Sequence, residues 1–539
     1  MIDTGLAEIS DKPKILEQFM KRYNRAQGIA DLWMGLHEAC YFYAIPNRNK
    51  FWRPKEQQGE LRGARVYDTT AIEATNIFVS KLHVAMTPPQ TQWGYLALDP
   101  GWKAENPDLV EQAQIVLDDY LRKLFEFIHD SNFDVVINEC YYDLAVGTSC
   151  IVINSLNLET PLLFTSIPMD KLAIEEAMTG KIESWYRNWE DVKISEIKVR
   201  WPKAKLPAEY IRDMAQDNQA TVSMIYEGVM YRPGKPKPYC YVVCAKDHLL
   251  YYEDFEYNPG IVWRFRKTNN DVFGRGPVMD ALPSIISLNE LARIELASAN
   301  LNTFKPYMGF SDSVFNPHTF KIQPMTVIPI AQIGSQGQVP LIPLPDTSNP
   351  QFGELKIQDL RQQIRALLFA DSPIPQEGKQ PVTATELMIS SQMLAERIGP
   401  TFSRLQHEFL FPLLQRVAFI LHKIGLLPIP NIEGRKSKAK VSFKYKSPLA
   451  LAKGQEQIAR FTQWFQIIQG ISGPEQAQIY INSGKYPWKL ASLMQLDMDF
   501  LNNPEQVQQT AQMMLDQINQ ASESMMESQG NISPPPNQE

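Results

Sequence analysis

Two helix-forming stretches, separated by a long proline-rich segment, constrain this chain more than any other feature. From about Pro277 to Asn300 the apolar residues Leu282, Ile285, Leu288, Ala292 and Leu296 recur at helical spacing. From about Phe352 to Phe369, Leu360, Ile364, Leu367 and Leu368 repeat the pattern. Pro277 falls in a first helical turn, where proline is tolerated. The order predicts an antiparallel helical hairpin. The segment between the helices holds eight prolines and, as charges, only Lys305, Asp312, Lys321 and Asp346. With β-prone runs at Thr326 to Ile330 and Gln338 to Leu344, it reads as a small β module at the hairpin tip, its prolines discouraging uncontrolled strand pairing.

A second loop, Asp371 to Pro381, with three prolines, Glu377, Gly378 and Lys379, leads into the clearest helix of the sequence. Thr383 and Glu386 form a capping-box pattern at its start. The stripe Leu394, Ile398, Phe402, Leu405, Phe409, Leu413, Val417, Ile420 and Ile424 advances by three or four residues throughout. A continuous helix from Thr383 to Ile424 would span about 60 Å. Gly399-Pro400 and Pro412 interrupt it, because proline removes a backbone donor and crowds the preceding turn, so a kinked helix is expected.

The N-terminal region reads as helices over about Lys14 to Tyr43, Thr70 to Met86, Asp108 to Ile128 and Phe133 to Val146, with Pro88 and Pro89 stopping the second. β-prone runs follow at Cys150 to Asn154 and Leu162 to Ile167. Short Val-, Tyr- and Ile-rich runs between turn clusters, from Thr221 to Phe265, predict a small antiparallel meander. After a basic turn and strand, Arg435 to Lys446, the chain reads helical to about Phe500. From Asn503 it is rich in Gln, Met and Ser, without lysine or arginine, and a mobile tail is expected. No solenoid repeat is present, and the fold class is α+β.

Composition narrows the function. A length of 539 residues calls for several sub-domains, and 44% hydrophobic with 21% charged residues fits a soluble globular chain. The longest apolar stretch, about Phe409 to Leu427, is broken by Gln415, Arg416, His422 and Lys423, and no basic-then-apolar leader is read, so neither membrane insertion nor secretion is expected. Five scattered cysteines, Cys40, Cys140, Cys150, Cys240 and Cys244, suit buried thiols in a reducing compartment. A net charge of -7 argues against gripping DNA, since tight binding comes from lysines and arginines neutralising phosphates. It is compatible with DNA sliding past.

The motifs of catalysis are missing. No GxxxxGK[ST] loop, HExxH or zinc-type cysteine pattern occurs. Cys240 and Cys244 lack companion ligands and read as buried thiols. Gly274-Arg275-Gly276 precedes a proline-started helix and reads as a tight turn rather than a nucleotide loop. Asp497 and Asp499 read as solvated surface rather than a metal site. The basic cluster Arg435, Lys436, Lys438, Lys440, Lys444 and Lys446 includes Phe443 and Tyr445 at strand alternation. A solvated turn and half-exposed strand is preferred there over a DNA or interface patch. No catalytic residue, metal or cofactor is assigned.

Several of these segments, in order, resemble the portal, or head-to-tail connector, family of short-tailed, T7-like phages. They are VYDTTAIEA (Val66 to Ala74) with MTPPQTQW (Met86 to Trp93), FGRGPVMDALPSIISLNEL (Phe273 to Leu291), and VTATEL (Val382 to Leu387) continued by ERIGPTFSRLQHEFLFPLLQR to Arg416. Asp68 and Thr69 are expected to cap the helix that follows them. The resemblance implies a wing over residues 1–275, stem helices over 276–301 and 352–370 and a clip over 302–351. It further implies a tunnel loop over 371–382, a kinked helix with the rest of the wing over 383–446 and a crown over 447–502. Residues 503–539 remain as a disordered tail.

It also implies a dodecameric ring at the unique capsid vertex of the virion, assembled in the host cytoplasm. The implied partners are major capsid, scaffolding and internal core proteins, the terminase, the tail adaptor and tail proteins. Double-stranded DNA would pass through the channel without sequence-specific binding. Loop composition and the resemblance together nominate Gln376, Glu377, Lys379 and Gln380 as tunnel residues, and the clip as the docking surface for terminase and tail adaptor. The competing readings are an enzyme subunit of the packaging apparatus (nuclease or ATPase) and a sequence-specific DNA-binding protein. The first requires metal-dependent cleavage or ATP hydrolysis, the second tight, salt-sensitive duplex affinity.

Overall fold

The computed structural model describes residues 12–48, 63, 65–106, 109–155, 159–217, 219–303, 307–309, 341–343, 350–371, 397–430, 441–445 and 460–470. The chain divides into two units, Met1–Tyr445 and Lys446–Glu539; in the second, the described residues 460–470 are helical.

In the first unit, α1 (Lys12–Ala44) buries Ile15, Phe19, Tyr23, Ala26 and Ala30, one stripe at steps of three or four. Helix α2 (Thr70–Met86) ends where the sequence places it, ahead of Pro88. Strand β1 (Gly94–Leu98), α3 (Pro100–Glu105), α4 (Val110–His129) and α5 (Phe133–Val146) follow. The two-turn α3 is too short for periodicity to reveal; its start is chemical, with Asp99 accepting from the Gly101 N–H at 3.1 Å beside Pro100.

The sheets run β2 (Thr148–Asn154), β3 (Leu163–Ser166), β4 (Leu172–Glu176) and β5 (Ile182–Lys193). After the small helices α6 (Ile194–Arg200) and α7 (Ala208–Gln216) come β6 (Thr221–Tyr231), β7 (Tyr239–Ala245), β8 (His248–Phe255) and β9 (Gly260–Arg264). The structure corrects the meander expected over Thr221 to Phe265 at both ends. Its five antiparallel strands are β4-β5-β6-β7-β8, while β9 leaves to pair with β2 in a second sheet of order β3-β2-β9. The turn at Asn258-Pro259-Gly260 makes the switch. Asn258 accepts from the Trp185 indole at 3.1 Å and the Gly260 N–H at 3.0 Å, while the Pro259 carbonyl accepts from Ile153 on β2 at 2.8 Å. The indole occupies the space of a Gly260 side chain, 2.1 Å from an ideal Cβ, so only glycine fits there.

Helix α1 lies on the five-stranded sheet, with Phe19 edge-on to Tyr186 (5.4 Å) and Tyr23 to Tyr226 (4.8 Å). Helix α5 packs on β2 and on α2, with Phe133, Ile137, Cys140 and Leu144 buried and Phe133 against Trp93 and Phe164 of β3. All five cysteines are buried free thiols, and burial pushes Cys40, Cys240 and Cys244 up to about 12.

The predicted helical hairpin is present as α8 (Pro277–Thr303) and α9 (Pro350–Leu367). Leu282, Ile285, Leu288 and Ala292 are buried against Leu360, Ile364 and Leu368, whereas Leu296 and Leu367 remain exposed. Between the helices, β10 (Tyr307–Gly309) pairs antiparallel with β11 (Leu341–Pro343), a β element within the expected module; Thr326 to Ile330 lies outside the described residues.

The long helix is broken, as its prolines predict. A turn at Ile398 precedes α10 (Gly399–Leu405), Gln406–Leu410 widen into a π segment, and α11 (Phe411–Ile424) ends on Gly425 at φ 85°. The Phe411 N–H reaches back to the Gln406 carbonyl, and Pro412 supplies no donor. The part expected upstream, including Thr383, Glu386 and Leu394, lies outside the described residues. Strand β12 (Val441–Tyr445) pairs antiparallel with β1.

Two backbones cross where β2 leaves α5. An ideal Cβ on Gly276 would lie 2.2 Å from the Ala145 carbonyl oxygen, and one on Gly147 would lie 2.1 Å from that of Gly274. The Gly276 N–H bonds Val146 at 2.8 Å and the Gly274 N–H bonds the Thr148 hydroxyl at 2.7 Å. The Gly274-Arg275-Gly276 turn is therefore the entry that sets α8 against α5. Phe273 caps the crossing, packed on His37 (5.5 Å) and Trp33 (5.9 Å), with the Arg275 guanidinium over Trp33. Burial drives His37 down to about 4, so the ring is neutral at pH 7.

Replacement of Gly276 by alanine is expected to lower unfolding stability by ~3 kcal/mol, since both colliding partners are backbone. Gly353→Ala, with open space around it on α9, should be neutral or mildly stabilising; paired urea melts give both values. A second test uses Asp143. This α5 carboxylate is buried, accepts from the Tyr41 hydroxyl at 2.5 Å and from Arg48 at 3.1 Å, and is pushed by burial up to about 6 against an ordinary 3.8. Between those values the folded chain holds a proton that the unfolded chain releases, so this group's contribution falls as pH rises from 4 to 7, by about 3 kcal/mol. Urea midpoints of wild type and Asp143→Asn across that range should diverge accordingly.

Candidate functional site

The base of the helical hairpin is tied by a set of polar side chains. Asp68 stands two residues before α2. One carboxylate oxygen accepts from the Thr70 N–H at 2.8 Å, and the other takes Arg361 of α9 at 3.0 Å and 2.9 Å. Burial pushes this carboxyl up, but the Thr70 hydrogen bonds and Arg361 outweigh it and hold it below the ordinary range. Asp68 thus caps α2, while Thr69 makes no side-chain cap.

Asn289 of α8 closes the other side. Its carbonyl oxygen accepts from the Tyr67 N–H at 2.7 Å and its amide donates to the Arg65 carbonyl at 3.2 Å. Arg365 of α9 meets Glu73 of α2 at 3.1 Å. The segment 65–73 is clasped by both helices of the hairpin.

Two turns further along α2, Lys81 donates to the Phe369 carbonyl at 2.8 Å, and burial lowers its pKa. Phe369 adopts φ 56° as α9 ends, its ring 5.9 Å from Phe78. Directly after it, Asp371 pairs with Arg397 at 2.7 Å. These residues flank segment 372–396, so its two ends are held together beside α2. Gln376, Glu377, Lys379 and Gln380 fall in that segment, outside the described residues, as do Arg435, Lys436, Lys438 and Lys440. Lys444 is exposed on β12 opposite Tyr95.

Two buried charge clusters escape sequence reasoning. Arg264, at 0% exposure, donates to Glu408 of the π segment (2.9 Å), Glu176 of β4 (3.1 Å) and the carbonyls of Gly180 (2.7 Å) and Val272 (3.2 Å). Its own N–H also bonds Glu408 at 3.0 Å, and Lys267 joins Glu176. Glu227 of β6, equally buried, accepts from Trp189 (2.7 Å) and Tyr241 (2.6 Å), with Arg187 and Arg200 close by, stacked on the Trp189 ring. A charge inside the otherwise apolar run Gly260 to Phe265, and a Glu within β6, are the signals that could have found them. For Asn289 the signal is its place in the helical phase of Leu282, Ile285 and Ala292.

These arrangements fix a helical hairpin, and the residues on either side of the segment after it, to an α/β platform. Among the described residues no group of three His, Cys, Asp or Glu side chains is placed to hold a metal ion, and no helix is long and apolar enough to cross a membrane.

The chain matches the family described as "Bacteriophage head to tail connecting protein" over residues 16–501. It is 20% identical over 444 residues to the "Probable portal protein" of Bordetella phage BPP-1, covering 77% of this chain and 76% of that protein. It is 21% identical over 462 residues to the "Portal protein" of Salmonella phage epsilon15, covering 78% and 76%. A solved chain from the virion of a native gene transfer agent particle aligns at 11% identity over 79% of this chain and 91% of its own, with a TM-score of 0.34.

Arg361→Ala strands the buried Asp68 carboxylate and is expected to cost ~2 kcal/mol. Hydrogen exchange should localise the loosening to α9 and the start of α2, while Arg293→Ala, which removes an exposed pair with Glu290, leaves the melt unchanged.

Proposed function

The chain belongs to the bacteriophage head to tail connecting protein family, and from that premise we propose that it forms a dodecameric ring, the portal through which the genome is packaged and ejected. As a head-to-tail connector it is a virion component of the head–tail junction. The observation that carries the reading is the match over residues 16–501, which spans the helical hairpin, the broken helix and the platform that holds them.

In this reading residues 1–275 and 383–446 supply the wing and the kinked helix, 276–301 and 352–370 the stem, and 302–351 the clip. Residues 447–502 form the crown and 503–539 a tail. The ring sits at one vertex, having assembled in the host cytoplasm with scaffolding, major capsid and internal core proteins. The clip docks terminase and then the tail adaptor. Segment 371–382 faces the axis, its first residue Asp371 anchored to Arg397, and Gln376, Glu377, Lys379 and Gln380 touch passing DNA.

Duplex DNA carries about one charge per 1.7 Å of axis. Many copies of a lysine-lined wall would hold it, whereas a chain of net charge -7 offers a wall of low friction. The role is that of a conduit without catalysis, its energy coming from a partner motor.

Native mass spectrometry with negative-stain imaging of the purified full chain tests the proposal. Closed rings near twelve subunits with a central hole are expected. Monomers or dimers under several salt and magnesium conditions would overturn the ring, and nuclease or ATPase activity of the purified chain would overturn the non-catalytic role.

A further inference from the structure

The long helix contains a two-turn piece with a weakened joint at each end. At its start the turn at Ile398 leads into Gly399 and Pro400, and Pro400 has no N–H to continue a helical ladder. At its end Gln406–Leu410 take the wider π spacing, and Pro412 leaves the Glu408 carbonyl without the donor that an α-helix would supply four residues on. Hydrogen bonding runs through α10, from the Phe402 N–H to Ile398, the Gln406 N–H to Phe402 and Ser403, and the Phe411 N–H to Gln406, but its spacing changes from α to π before α11.

What fixes α10 is one side of it. Leu405 and Phe409 are buried, and Phe409 stacks on Trp263 of β9 at 4.3 Å. Glu408 receives Arg264 at 2.9 Å and Arg404 of α10 itself at 2.9 Å. The other side, with Ser403, Arg404 and His407, borders a cleft of about 760 Å3 whose far walls are residues 179–183 of the β4–β5 turn and 256–258. A short piece with a proline near each end and a change of helical spacing before α11, held on one side by buried apolar contacts and the Arg264–Glu408 pair and bordered on the other by open volume, has the mechanical elements of a hinged latch.

We infer that residues 399–410 form a swivel whose latch is the Arg264–Glu408 pair, and that opening the latch carries α10 toward the cleft. Arg264 also holds the Gly180 carbonyl and Glu176, so the same guanidinium fixes the cleft's opposite wall. Release of Glu408 therefore loosens both faces of the cleft at once. The device is a property of the fold and does not depend on ring number or on any partner.

Hydrogen exchange by mass spectrometry on the full chain, in whatever assembly it forms, tests the swivel. In the wild type, amides of 399–410 should exchange at least tenfold faster than those of 413–421, although Leu405, Phe409 and Leu410 are as buried as Leu413 and Val417. Pro412→Ala restores the missing donor and should slow exchange in 405–412 at least tenfold. Glu408→Gln should speed exchange in 399–410 and 176–181 together, with α5 unchanged. Equal protection of 399–410 and 413–421 in the wild type, or no change in Pro412→Ala, would overturn the swivel, even if Glu408→Gln does not fold. Acceleration confined to one wall in Glu408→Gln would overturn the shared latch.

Discussion

Arg264 is the residue on which the assembly of parts depends. A guanidinium at 0% exposure is tolerable only if its donors are met, and here they are met from three different places: the long helix through Glu408, the β4–β5 hairpin through Glu176 and Gly180, and the approach to the Gly274 turn through Val272. Removing one partner of such a buried group costs ~3–5 kcal/mol, because the remaining charge has no water to turn to. A well-packed apolar substitute could match the stability, but it could not dictate that these three segments converge. The five donors of arginine in a fixed fork specify direction as well as attraction.

The second constraint is steric. The crossing at Gly147, Gly274 and Gly276 brings backbone to backbone, and its hydrogen bonds run from the turn to Val146 and Thr148. The turn that looks from sequence like a loop signal is in fact a packing element, which sets the start of α8 before any of that helix's apolar stripe is used. Asp68, Asn289 and Arg361 then fix the hairpin from the other side. Two independent ties at its base, one steric and one polar, hold the hairpin to the platform.

Local signals carried the helices. The bounds of α2 and α5 match the periodicity, and the hairpin pair follows from two stripes and a proline-rich interval. The breaks in the long helix follow from Pro400 and Pro412, although that Pro412 would be met by a π segment rather than a simple bend was not legible. Strand partnership was not legible either. Nothing in Ile182–Lys193 announces that β5 joins the meander, or in Gly260–Arg264 that β9 leaves it, because that choice is made by Trp185 lying over Gly260, a contact between residues far apart in sequence. The polar ties were hidden for the same reason: Asp68 and Arg361, or Arg264 and Glu408, become partners only once the fold exists.

The sheet topology has one consequence for how such a chain can diverge. Strands β3 and β9 flank the same strand, β2, so the chain departs into the five-stranded meander and returns from it within two strand spacings, ~10 Å. A segment whose ends lie that close is in effect a graft: it can lengthen, shorten or be exchanged for another while the stock that receives it keeps its geometry. Graft and stock are fastened along one edge and one face: Arg264 reaches Glu176 and Gly180, Lys267 reaches Glu176, and from α1 Arg22 reaches Glu175 while Phe19 and Tyr23 pack on the sheet. Replacement modules would therefore need to supply acceptors at that edge and an apolar face for α1.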